Sequence, residues 1–234
     1  MKPVPSPKQI VALAAGCHPD DIELTMAGTL LRLKDAGAEI HMWNLSNGEG
    51  GSIRHTPEET ARIRTAEAQT SARLAGAIFH PPLFEDLAIF YDRPSLARVA
   101  AVVRDIRPTV ILTHSPQDYM EDHQNVCRLI VTAAFSRSVR NFTTDPRREA
   151  YDAPLALYHA LPHCLRDAMN QPIRPDAYVN IGPVLSRKCA LLACHTSQKE
   201  WLDVTQGEGA YLKGMESMGV EVGRQSGRFA LAEG

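Results

Sequence analysis

The sequence predicts an α/β fold, a mostly parallel, Rossmann-like sheet with helices on both faces, in a single domain spanning residues 1–234. Three observations predict it. Short apolar runs alternate with amphipathic stretches of helical period through the first half of the chain, the order that places a helix between successive parallel strands. The first apolar run, Ile10-Val11-Ala12-Leu13-Ala14-Ala15-Gly16, is nearly continuous, as a strand covered on both faces must be. No internal repeat, low-complexity tract or linker divides the 234 residues, a length suited to one α/β domain.

The elements follow in order. Residues 1–8 lack the apolar stretch of a signal peptide and read as a loose N-terminal segment. After the first strand a helix is expected at about residues 22–36, with Leu24, Ala27 and Leu31 on one face and Gly37 stopping it. Residues 39–46 read as the second strand. Thr56-Pro57-Glu58-Glu59 is a helix start, with a threonine cap, proline at the first position and glutamate at the third. That helix runs to Leu74 and stops at Gly76. Leu96, Val99, Val103 and Ile106 mark another helix, ended by Pro108 before a strand at 109–113. A further helix carries Val126, Leu129, Ile130 and Ala133. Residues 155–159 and 177–181 read as strands, and about 183–195 as a helix. Right-handed crossovers are expected, with the ligand site beyond the carboxyl ends of the strands.

Composition narrows the class of function. A net charge of −2 gives no electrostatic reason to expect nucleic acid or an anionic membrane as partner. No apolar run approaches the ~20 residues of a membrane span. Five cysteines, an odd number with no C-x-x-C pair, fit a reducing cytoplasm with buried thiols better than a disulfide framework. Cys17 reads as a small strand residue rather than a ligand or redox group. The chain is expected in the cytoplasm, acting on a small molecule, and nothing in it decides between a monomer and a homo-oligomer.

Two polar clusters follow two of the predicted strands. The first is Gly16-Cys17-His18-Pro19-Asp20-Asp21-Ile22-Glu23; the second runs from Thr113-His114-Ser115-Pro116 through Asp118 to Asp122-His123. Both strand ends face one rim, so residues about a hundred apart can converge. Histidine with carboxylate is a ligand set of catalytic zinc, which uses three protein ligands and one open position. Pro19 keeps His18 out of the helix and leaves Asp20 and Asp21 near its start. Adjacent carboxylates point in different directions, so one can bind metal while the other faces a water. Asp is also a favoured helix cap, which leaves capping and catalysis both open for the first cluster alone. In the second, Asp122 or Asp118 can hold a ligand histidine by its other ring nitrogen.

With these residues the chain resembles the LmbE/PIG-L family of zinc-dependent N-acetylglucosaminyl deacetylases. The resemblance extends through Asn47-Gly48-Glu49-Gly50-Gly51, Arg64-Thr65-Ala66-Glu67, Lys188, His195-Thr196-Ser197-Gln198 and the tail Phe229-Ala230-Leu231-Ala232-Glu233. It implies a hydrolase that removes an acyl group, typically acetyl, from an amide nitrogen of a sugar-like substrate. The metal would be Zn2+ or an exchangeable divalent ion such as Fe2+, bound by His18, Asp21 and His123. Asp20 would be the general base, and His195 would polarise the acyl carbonyl or the leaving amine. Arg64 and the Gly48–Gly51 loop, with Gly50 in it, would hold substrate. Many members carry a histidine where this chain has Met120, which puts Met120 at the substrate and leaves the metal ligands untouched.

The remaining residues have plainer readings. His114 is expected to be structural, His159 and His163 to be ordinary partly buried histidines, and Trp43 and Trp201 to be core or interface. Arg137, Arg140, Arg147 and Arg148 read as a solvated face. Two competing readings stand beside the enzyme. One is a non-hydrolytic Rossmann-like binding module, against which the first loop lacks a G-x-G-x-x-G turn. The other is a relative that binds metal without catalysis, for which Met120 is the support.

Overall fold

The computed structural model describes residues 9–199, 202 and 209–234. The expected loose segment at 1–8 and Trp201 lie outside the described residues. Five parallel strands form the main sheet in the order β3-β2-β1-β4-β5, with β1 at Val11–Gly16, β2 at Glu39–Asn44, β3 at Ile78–His80, β4 at Val110–Thr113 and β5 at Ala156–His159. The α/β class and the two-sided cover read from the sequence are what the chain adopts.

The continuous apolar run of β1 has a direct cause. Leu13 and Ala15 face one cluster, built with Val99 and Val103 of helix α4 (Arg93–Ile106) and Val126, Leu129 and Ile130 of α5 (Glu121–Ser136). Ala12 and Ala14 face the other, against Leu30 and Leu31 of α2 (Ala27–Asp35), Ala72 of α3 (Pro57–Ala75) and Leu191 of α6 (Leu185–Leu192). Neither face of β1 meets water, so neither side of its pleat can carry polar residues. Trp43 is fully buried in the first cluster, its indole N–H donating to Pro81 O at 3.1 Å.

Helix α3 begins as its sequence dictates. The Thr56 hydroxyl accepts from the Glu59 amide and the Glu59 carboxylate from the Thr56 amide, and Gly76 closes the helix at φ 68°. The helix expected at 22–36 is instead broken at Met26 into α1 (Asp21–Thr25) and α2. The break frees the Gly28 and Thr29 amides, which donate to the Glu233 carboxylate at 2.8 and 2.6 Å. Glu233 also takes the buried Lys188 ammonium at 2.5 Å, so the chain's far end supplies the cap of α2. Gly28 is required there: a Cβ would lie 2.5 Å from Ile181 Cγ2 and 2.7 Å from Glu233 Oε1.

One strand expectation changes, and one strand, β3, was not expected. Residues 177–181 contribute only β6 (Val179–Asn180), which pairs antiparallel with β7 (Ala232–Glu233) in a separate small sheet. β3, a three-residue edge strand, is too short for any periodic signal. The helix expected at 183–195 is shorter, with a 3-10 turn at Gly182–Val184 before α6. Helix α7 (Ala210–Ser226) then packs on β7. No helix among the described residues is long and apolar enough to cross a membrane.

Candidate metal centre

The strand order creates the site. β1, β2 and β3 run outward to one edge, and β4 begins again on the other side of β1, so the loops after β1 and β4 leave the sheet side by side. This is the switch point of a doubly wound sheet, where the two connections diverge and open a crevice. His18, Asp20 and Asp21 follow β1, while His114, Asp118, Asp122 and His123 follow β4.

Three donor atoms converge in that crevice. His18 Nδ1 lies 3.3 Å from His123 Nε2 and 3.5 Å from Asp21 Oδ2, and His123 Nε2 lies 3.2 Å from the same Oδ2. Ligands at ~2.0–2.1 Å from a tetrahedral ion stand roughly 3.3–3.4 Å apart, so the triangle has the dimensions of a zinc-type face. Each imidazole is held from behind by a carboxylate. Asp118 Oδ2 sits 3.0 Å from His123 Nδ1, and Asp122 Oδ2 3.3 Å from His18 Nε2. Those bonds fix the ring orientations and the tautomers that aim a lone pair at the centre. The two carboxylates, read from the sequence as alternatives for this work, take one histidine each. Three carboxylates around two imidazoles leave an excess of negative charge that a divalent cation compensates. The residues therefore fit a divalent metal.

Electrostatics reflect the crowding. Burial alone would pull His123 down, but the Asp21 and Asp118 carboxylates outweigh it and raise its pKa to about 9. Burial likewise opposes the charged form of His18, yet the hydrogen-bonding carboxylates of Asp122 and Asp21 lift it well above the ordinary range. Burial raises Asp21, whereas His123, His114 and His18 together hold it well below the carboxylate norm. Burial pushes the Cys17 thiol up to about 12. Although Cys17 stands within the cluster, its Sγ is nearest His18 Nε2, at 3.6 Å, the nitrogen that Asp122 occupies. His114, expected to be structural, accepts the Cys17 amide on Nε2 at 2.8 Å and stacks its ring on His123 with centroids 3.9 Å apart.

Asp20 is the neighbour of Asp21 at the start of α1 and lies outside the triangle of donor atoms. It has φ 115°, in the left-handed half of backbone space that costs a side-chain-bearing residue about 1–3 kcal/mol. The surroundings hold this turn: the Asn44 side-chain Nδ2 donates to His18 O at 2.5 Å and Arg64 Nη2 to Pro19 O at 2.6 Å. The Asp20 carboxylate is buried, and burial raises its pKa against the opposing charge of Arg64. Its Oδ2 accepts the Tyr211 hydroxyl at 2.6 Å.

The other residues singled out in the sequence have these surroundings. Arg64, expected to hold substrate, is 3% exposed and bonds Pro19 O and Gly48 O, tying the glycine-rich loop to the Asp20 turn. His195, expected at the acyl or amine group, has no exposed surface; its Nε2 lies 3.2 Å from the buried Glu23 Oε1, and its charge is felt by Asp20. Burial opposes the charged form of His195, but Glu23 and Asp20 raise its pKa. Gly50 is exposed, though its amide is already bonded to Asp86 Oδ2 at 2.9 Å. Met120 is 37% exposed at the cap of α5, with its amide on Asp118 Oδ1. His159 is exposed, with Nδ1 on His114 O at 2.8 Å, and Arg137 and Arg148 serve carbonyls and Asp105.

Asp86 and Tyr211 carried no signal in the sequence. Asp86 gathers the Ser46 hydroxyl and the Gly48 and Gly50 amides, and so shapes the loop beside the site. Tyr211 reaches Asp20 across 191 residues of chain. No local pattern marks either one.

Fold and site together define a hydrolase-like α/β protein with a candidate metal centre at the sheet's switch point. Residues 13–134, which is 122 of 234 residues, match the family model described as PIG-L: GlcNAc-PI de-N-acetylase, and the chain belongs to that family. It is 26% identical over 188 residues to a diacetylchitobiose deacetylase of Thermococcus kodakarensis, covering 77% of this chain and 67% of that one. It is also 26% identical over 200 residues to a 4-oxalmesaconate hydratase of Pseudomonas putida, covering 80% and 74%. The crystal structure of a 4-carboxy-2-hydroxymuconate hydratase from Pseudomonas putida superposes with a TM-score of 0.78 at 24% identity, covering 97% of this chain and 95% of that one, a likeness of fold.

Proposed function

We propose that the chain is a metal-dependent hydrolase that removes an acyl group, acetyl in the first instance, from an amide nitrogen of an N-acetylglucosamine-type or related small molecule. The observation that carries this reading is the His18–Asp21–His123 triangle, with the separate buried carboxylate of Asp20 beside it. Family membership and the deacetylase relative support the reaction class.

His18, Asp21 and His123 would hold zinc or an exchangeable ferrous ion. When bound, such an ion supplies Lewis-acid polarisation of the acyl oxygen and lowers the pKa of a water to about 7. Asp20 takes the proton of the attacking water and returns it to the departing amine nitrogen. Its burial-raised pKa makes it a stronger base than an ordinary carboxylate. Asp118 and Asp122 keep the ligand lone pairs aimed. Arg64 and His195 act from behind Asp20, holding the turn and balancing its charge, while the exposed Met120 and Gly50 face the substrate side.

The relation to the hydratase favours a second reading, in which the same base delivers water to a conjugated double bond of a carboxylated substrate. Met120 suits it, because addition to carbon needs no histidine for an amide oxyanion. Mass spectrometry of zinc-loaded protein against N-acetyl sugars, acyl amines and unsaturated dicarboxylates separates the two. Acetate release supports the deacetylase, and a water adduct without fragmentation supports the hydratase. Asp20→Asn is expected to retain metal and lose ~10²–10⁴ in turnover, and Asp21→Ala to lose metal and activity together. Loss of metal from Asp20→Asn with full occupancy in Asp21→Ala would reverse the two roles.

A further inference from the structure

A general base must present one particular oxygen to the attacking water. An aspartate does not do this by itself, because rotation about its side-chain bonds exchanges its two oxygens. Asp20 Oδ2 accepts a 2.6 Å hydrogen bond from the Tyr211 hydroxyl. Oδ1 has a different environment: its cationic neighbour, Arg64 Nη2, is 3.5 Å away and already donates to Pro19 O at 2.6 Å. One oxygen is therefore pinned and the other left for the reaction.

The pin is rigid. Tyr211 is 5% exposed in the first turn of α7 and packs in a cluster with Leu192 and Met215. A tyrosine buried by packing on both neighbours loses little further freedom on making its bond. The hydroxyl remains a donor throughout, since burial, with the Asp20 charge, raises its pKa well above the ordinary phenol. It can orient the carboxylate and does not compete for the water's proton.

We infer that Tyr211 is a positioning residue for the reaction, fixing Asp20 by Oδ2 so that Oδ1 is the oxygen that takes and returns the proton. The inference rests on the reading of Asp20 as the base. It assigns work to the C-terminal helix, which lies outside the segment matched by the family model.

The test is Tyr211→Phe, which removes one hydroxyl, with Met215→Leu as a control for disturbed packing one turn along the same helix. Metal content, thermal midpoint, kcat and KM are measured on the substrate that the wild type turns over. A lost hydrogen bond to a charged group predicts a fall in kcat of about ten- to hundredfold. KM should move by no more than about twofold, because the bond orients the base rather than the substrate. Metal occupancy should match the wild type in both variants, and Met215→Leu should keep its kcat. An unchanged kcat in Tyr211→Phe would overturn the inference, as would an equal fall in Met215→Leu or a fall that tracks lost metal. A zinc-loaded wild type that turns over nothing on the panel would instead overturn the reading of the site, and Tyr211's role with it.

Discussion

Replacing Asp118 with asparagine tests whether the carboxylates behind the histidines prepare them for metal. Asp118 Oδ1 takes the Met120 amide and Oδ2 faces His123 Nδ1 at 3.0 Å, with the side chain 1% exposed. In Asp118→Asn the oxygen is retained by the Met120 amide, and the new NH2 group faces Nδ1. Two donors cannot meet, so the neutral ring shifts its proton to Nε2, the atom that must carry a lone pair toward the metal. Loss of such a partner weakens metal binding by ~10–100-fold, about 1.4–2.7 kcal/mol. A second effect opposes it. With a pKa of about 9, wild-type His123 is roughly 1% neutral at pH 7, so protons there weaken its apparent affinity about a hundredfold. Removing a carboxylate lowers that pKa and relieves the competition. The deficit of Asp118→Asn should therefore be fully developed near pH ~9.5 and smaller at pH 7, with a shallower pH dependence than wild type. Competition for zinc against a chromophoric chelator at both pH values measures this. Affinities within about twofold of wild type at both would refute the argument that Asp118 sets the tautomer.

Metal-free and metal-loaded protein should show opposite pH trends. The folded-state pKa of His123, about 9, exceeds the ~6.5 of an unfolded histidine, so its pairing stabilises fully below pH ~6.5 and is lost as pH rises through about 9. The raised His18 adds in the same direction. Metal requires both rings neutral, so stabilisation by a fixed zinc activity should grow across that window; thermal unfolding with and without zinc reads both slopes, and parallel slopes would contradict the ligand assignment. Glu233→Gln breaks the buried pair with Lys188 and one tie to α2, which predicts a loss of ~3–5 kcal/mol and a thermal midpoint lower by ~6–20 °C. A midpoint within about 2 °C of wild type would show that the tail does not cap α2. Cys17, with its thiol near 12, should resist iodoacetamide at pH ~8 while exposed Cys164 is labelled, and peptide mass spectrometry distinguishes them. Equal labelling of both in folded protein would place Cys17 outside the core.

What the sequence determined by itself was whatever is written within a few residues. The two-faced run of β1, the capping box of α3 and the stop at Gly76 depend on neighbours along the chain, and each forms where its residues require. The two polar clusters were legible for the same reason: each is contiguous, and a parallel sheet brings successive strand ends to one rim. Tertiary structure decided which side of each cluster does what. Asp118 and Asp122 divide between two histidines because Asp122 stands in the first turn of α5 whereas Asp118 lies in the loop before it. Arg64 and His195 are chemically suited to meet a substrate, yet packing turned both inward, where Pro19 O, Gly48 O and Glu23 supply their partners. The break at Met26 and the pinning of Asp20 had no local signal, because Glu233 and Tyr211 arrive from about two hundred residues away. A helix end or a carboxylate accepts whichever buried donor or acceptor the folded chain brings within about 3 Å, and sequence neighbours carry no record of that partner.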